Sequence, residues 1–117
     1  MTYEGIPDGY IISDGEVTSF FMDFSEAGTV TLGLKIRRQS KKGMVENCEA
    51  TLIFVQLIEV NISEDFRTGG GYSDFTFQKL ENEFYLSLDP FGNSGTPNEQ
   101  DNFVIRSRKF LLIAGED

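Results

Sequence analysis

Nineteen Asp and Glu side chains, no histidine and one cysteine set the chemistry open to this 117-residue chain. Without histidine there is no imidazole for general acid–base catalysis, for a Ser-His-Asp or Cys-His nucleophile, or for zinc ligation. A single cysteine cannot build a Cys-rich zinc or iron–sulfur site within one chain. What remains is work done by carboxylates, such as the pair that flanks a glycosidic bond during hydrolysis. Two groups of acids are placed for it: Asp14, Glu16 and Asp23 flank the first strand pair, and Asp89, Glu99 and Asp101 bracket a long loop. So many acids in a small domain meet by chance, so no residue is assigned a catalytic role. Asp14, Glu16, Asp89, Glu99 and Asp101 are instead the candidates for contact with a partner.

The other motifs favour plain structural readings. Asp89-Pro90-Phe91-Gly92-Asn93-Ser94-Gly95 supplies oxygen ligands but lacks the alternating Asp/Asn spacing and closing Glu of a calcium loop, so it reads as a loop opened by an Asp-Pro turn. Gly69-Gly70-Gly71 lacks the Lys-Ser/Thr of a phosphate loop and precedes a strand rather than a helix, so it reads as a turn. Cys48 opens an apolar strand and is expected to be a packing residue. No metal and no cofactor is implied.

Charge is distributed unevenly. Lys35 to Lys42 holds five of the ten basic residues and no acidic one, leaving five basic against nineteen acidic residues, or −14, for the rest. The basic stretch has no interleaved aromatics and lies at a strand end, where lysines discourage edge-to-edge aggregation. An acidic surface repels nucleic acid and anionic membranes and attracts basic proteins. Solubility alone is the plainer account of the same charge. The N-terminus shows no basic region followed by an apolar stretch, and the longest apolar run is Phe110–Ala114, so a cytoplasmic protein is expected.

The elements that would position these residues are strands. Val30, Leu32, Leu34 and Ile36 alternate with Thr31, Gly33, Lys35 and Arg37, the period of a strand with one wet face. Thr18, Phe20, Met22 and Phe24 alternate upstream, and Glu26-Ala27-Gly28 joins the two runs into a hairpin. Cys48–Leu57 is apolar on both faces at its centre, as in a strand covered on both sides, with a bulge or bend expected near Gln56–Glu59. Asp74–Gln78 and Glu83–Asp89 make a second hairpin through Leu80–Asn82, and Phe103–Ala114 closes the chain with Arg106 and Arg108 outward. Thr96-Pro97-Asn98-Glu99 has the form of a helix cap, but no apolar pattern continues it, so one turn is expected. The fold class is all-β: a single domain over residues 1–117, an antiparallel β-sandwich or open barrel of about seven or eight short strands. Val30, Leu32, Leu34, Phe54, Phe77, Phe84 and Leu86 are expected to form its core.

Three segments resemble a protein family: Ser13-Asp14-Gly15-Glu16-Val17, Ala50-Thr51-Leu52-Ile53-Phe54-Val55, and Phe84-Tyr85-Leu86-Ser87-Leu88-Asp89-Pro90. In order and spacing they are similar to small β-rich bacterial immunity proteins of polymorphic toxin systems. In that family a His-Asp-x-Glu-Val signature opens the first hairpin; Ser13 stands here at the histidine position, and Asp14 and Glu16 match. The resemblance implies a protein that binds and blocks a toxin domain and has no catalytic residues.

The function expected is therefore non-enzymatic binding of a basic protein partner through an acidic face. The alternatives are a carboxylate-based hydrolase or carbohydrate-binding protein, and a structural domain that forms homo-oligomers.

Overall fold

A computed structural model describes residues 2–62, 75–91 and 95–115. These form seven strands and no helix: β1 (Thr2–Tyr3), β2 (Tyr10–Asp23), β3 (Thr29–Gln39), β4 (Val45–Asn61), β5 (Thr76–Lys79), β6 (Phe84–Asp89) and β7 (Asn102–Ala114). Every pairing is antiparallel, in the order β2-β3-β4-β7-β6-β5, and β1 adds to the far end of β7. The result is one curled sheet, a half-barrel, as the all-β reading of the sequence expects. Gly69–Gly71 lies outside the described residues.

The inner face follows from the alternation in β3. Val30, Leu32, Leu34 and Ile36 are buried and stand opposite Phe54, Leu52, Ala50 and Cys48 of β4. Phe54, Leu52 and Ala50 in turn face Phe110, Leu112 and Ala114 of β7. Each large side chain buried in these rows contributes about 1.5–3 kcal/mol. Leu86, Leu88 and Ile105 extend the cluster beneath β6.

Five of the seven expected core residues are fully buried; Phe77 and Phe84 are half-buried and pack against the cluster from its open side. They belong to the β5–β6 hairpin at the sheet's end, where no further strand covers them among the described residues. The centre of β4 also differs from expectation. Thr51, Ile53 and Val55 are only half-buried, because among the described residues the sheet is a single layer with no element packed on its outer face there. The alternation in β2 is likewise weaker than that in β3. Met22 packs on the core, Phe20 only reaches the Phe103 ring at 5.9 Å, and Phe24, past the strand end, is 82% exposed. β2 is an edge strand, so its ladder of side chains is closed from one side alone.

Two breaks in register and one buried anchor shape the curl. The bend expected in β4 is present: Gln56 adopts φ 59° and the register with β7 shifts between Leu57 and Glu59. Leu57 then donates its N–H to Ala27 and Gly28 in the turn between β2 and β3, at 3.1 and 3.4 Å. A second irregularity falls at Asp14-Gly15, where β2 shifts register against β3 and Asp14 adopts φ 59°. Gly15 is needed there, since a Cβ would lie 2.8 Å from the Ile12 carbonyl oxygen and 3.2 Å from Ile36 Cγ2. The anchor is the buried Arg38, which donates to Glu46 (2.9 Å), to the Tyr10 hydroxyl (3.0 Å) and to the Gly115 carbonyl, tying both ends of the chain to β3.

Candidate functional site

On the outer face, the second half of β4 lies beside the first half of β7, and β7 beside β6. The register places Glu59 opposite Arg106, and Arg106 opposite Tyr85. Glu83, just before β6, completes the row. Arg106 donates to both Glu83 oxygens at 2.6 and 2.8 Å and to Glu59 at 3.1 Å. This double contact holds the Glu83 carboxyl below its ordinary range, and the two carboxylates raise Arg106 further.

Residues 97–101 wall one side of this row, and Asp101 holds them there. Its buried carboxylate accepts the Tyr85 hydroxyl (2.6 Å), the Asn98 N–H (2.9 Å) and the Phe91 N–H (2.7 Å). The Asp101 N–H returns to the Asn98 carbonyl at 3.0 Å, closing a turn over 98–101. The segment read as a helix cap forms a turn in which Asp101 bonds the Asn98 amide. Burial and then the neighbouring Asp101 push the Tyr85 phenol up. The open cleft so formed has a volume of about 410 Å³, with the exposed Glu99 in its wall. Glu59, Glu83, Glu99 and Asp101 against Arg106 give it a formal charge of −3.

The candidate residues are therefore divided. Glu99 and Asp101 come together in the cleft, though Asp101 is spent on the loop and faces inward. Asp89 ends β6 on the surface, within 3.4 Å of the Asn102 amide. Asp14 and Glu16 lie on β2, with β3 and β4 between them and β7. Asp14 sits in the bulge 3.9 Å from Arg37, and Glu16 is opposite Lys35. Glu59, Glu83, Tyr85 and Arg106 were not candidates from sequence, because only the register across three strands assembles them.

The basic stretch also resolves residue by residue. Arg38 turns inward to Glu46, Arg37 meets Asp14, and Lys35 stands between Glu16 and Glu49 on the neighbouring strands. Its strand residues face carboxylates rather than forming a positive face. Cys48 is buried, as its strand position suggests. Among the described residues no three His, Cys, Asp or Glu side chains are grouped to hold a metal ion, and no helix is long and apolar enough to cross a membrane. Compared with models of protein families, with curated proteins and with solved structures, the chain matches none.

Proposed function

We propose that this protein is a non-enzymatic binding domain that receives a basic protein partner at the acidic cleft between β4, β7 and β6. The observation that carries this reading is the arrangement around Arg106. One guanidinium organises Glu59 and Glu83, leaving a preformed concave surface of net negative charge that needs no reordering before contact. Such a surface steers a cationic partner and fixes its register through charge. A lysine or arginine of the partner would enter beside Glu99, whose carboxylate is exposed. Neutralisation of a basic toxin domain, as in the immunity proteins that the sequence resembles, is one use of such a surface.

The same geometry speaks against the hydrolase alternative. A general acid needs a carboxyl raised toward neutrality, and Glu83 is held low by Arg106 while Asp101 is occupied by three donors. Self-association has its own supporting observation, the exposed Phe21 and Phe24 at the free end of edge strand β2.

The test is capture of partners from the native host by the wild-type chain, Glu99→Lys, and Asp14→Lys with Glu16→Lys. A basic protein held at low salt, released by added salt and lost in Glu99→Lys supports the cleft. Loss only in the β2 variants would move the contact to the first hairpin. Capture of the chain itself alone, or of a partner indifferent to salt, would refute the acidic-cleft reading.

A further inference from the structure

The described cations differ in their ion pairing. Arg37, Arg38 and Arg106 each have carboxylate partners. Lys79 of β5 and Arg108 and Lys109 of β7 make no direct ion pair among the described residues, although Arg108 is within electrostatic reach of Glu83, and the three line one groove of about 460 Å³. Among the described residues Glu4 is the only acid that lines it, which gives these residues a formal charge of +2 in a chain of −9. Grouped like charges repel, and an anion placed among them relieves that repulsion.

The groove is a notch in the sheet. Along one edge of β7, pairing with β6 ends at Phe84–Ser107 and pairing with β1 begins at Tyr3–Leu112. Residues 108–111 face the gap between them. β7 is also kinked there: Ser107 and Phe110 are buried, while Arg108 and Lys109 between them are both exposed. The Ser107 hydroxyl donates to the Lys109 carbonyl at 2.8 Å across the kink. Strict alternation from Ser107 would turn Lys109 inward; the kink sends both cations to the surface side by side.

The lining of the notch is aromatic. Phe84 and Phe110 meet edge to face with centroids 5.6 Å apart, and Phe77 lies 4.9 Å from Phe110. The Lys79 ammonium is 5.8 Å from the Phe84 ring centre, within cation–π range. Phe84, which lines the notch, is only half-buried, so ring surface is left for a ligand to cover, and Phe77 supports it from behind.

We propose that this notch binds a small organic anion with a flat apolar body, the chemistry of an aromatic carboxylate or aryl phosphate. The cations fix the anionic end and the rings take the apolar body, a division of labour common to small-molecule sites of this volume. The site adjoins the acidic cleft, with Arg108 within electrostatic reach of Glu83, but it has the opposite sign and its binding does not rest on the cleft's proposed role.

The test is a low-salt amide NMR titration of the full chain with three probes: inorganic phosphate, phenyl phosphate and benzyl alcohol. Phenyl phosphate should saturate shifts at residues 79, 84 and 108–111 and bind about tenfold more tightly than inorganic phosphate, because only it covers the rings. Benzyl alcohol should not saturate them. Arg108→Gln with Lys109→Gln should weaken phenyl phosphate about tenfold, with the amides away from the notch and Glu83 unchanged because both side chains are exposed. Absence of saturation, equal affinity for the two phosphates, or undiminished affinity in the double variant would overturn the proposal.

Discussion

Replacing Asp101 by alanine should cost about 3 kcal/mol of stability, a large share of the 5–15 kcal/mol typical of a domain this size. The figure follows from what the carboxylate leaves behind. The Tyr85 hydroxyl is buried and would lose its acceptor, worth about 1–3 kcal/mol, while the Asn98 and Phe91 amides belong to exposed residues and would recover water at about 0.5–1.5 kcal/mol each. Asp101→Asn keeps an oxygen acceptor but not the charge and should lose about half as much. Tyr85→Phe removes one donor and leaves the carboxylate its two amides, at about 1 kcal/mol. The informative variant is the double one. Once Tyr85 is Phe there is no hydroxyl to strand, so Asp101→Ala with Tyr85→Phe should cost less than the two single losses added, by about 1–2 kcal/mol. Urea unfolding followed by far-ultraviolet circular dichroism measures all four proteins without relying on tyrosine emission. A loss under about 0.5 kcal/mol in Asp101→Ala, or strict additivity, would show that Asp101 does not hold the loop as argued.

Phe54→Ala should cost about 3–5 kcal/mol and Phe84→Ala clearly less, since Phe54 is fully buried between Val30 and Phe110 while Phe84 is half-buried at the sheet's end; the reverse order in urea unfolding would mean that the inner face is misassigned. Gly15→Ala should destabilise by about 1–3 kcal/mol, because its Cβ meets the Ile12 carbonyl and Ile36, and a melting temperature equal to wild type would refute the tight bulge. Glu83 has a lowered folded-state pKa, so its contribution to stability is present above the ordinary value of 4.5 and is lost as pH falls through the lower folded value; Glu83→Gln should flatten that acid limb of the urea midpoint. Tyr85 keeps its proton above the ordinary 10.0, where the unfolded chain releases it, so stability should fall as pH climbs past that value, and Tyr85→Phe should remove this part of the slope.

Most of the strands were legible in the sequence because one-sided burial leaves a period of two. β3 shows it cleanly, and the change in β4 from a two-sided apolar run to alternation pointed to the bend near Gln56–Glu59. β1 and the first half of β2 were not legible. Two residues carry no period, and the bulge at Asp14-Gly15 breaks the alternation before Val17. The site was half-legible for a related reason. Glu99 and Asp101 stand out beside a loop, but whether an acid faces outward or pins that loop depends on Tyr85, sixteen residues away. Arg106 finds Glu83 and Glu59 at separations of 23 and 47 residues, contacts that exist only once β4, β7 and β6 are in register. Side-chain period is local; partner choice is not.

The division of charge on β7 follows from the same backbone irregularity that bends the sheet. Before the kink, Arg106 lies in regular register between Glu59 and Tyr85, where two carboxylates hold it and the surface it organises is negative. Opposite the kink, Gln56 takes its left-handed conformation, and β4 turns to meet the β2–β3 turn through Leu57. β7 follows that turn by exposing Arg108 and Lys109 in succession, past the last residue that pairs with β6. Straightening β7 would return Lys109 to the inner face, where an unpaired ammonium among Phe54, Phe77 and Phe110 costs several kcal/mol. The bulge therefore does more than curl the sheet. It keeps one cation of β7 inside an acidic cleft and delivers the next two, without a direct ion pair among the described residues, to a notch lined by aromatic rings, so surfaces of opposite sign arise within four residues of one strand.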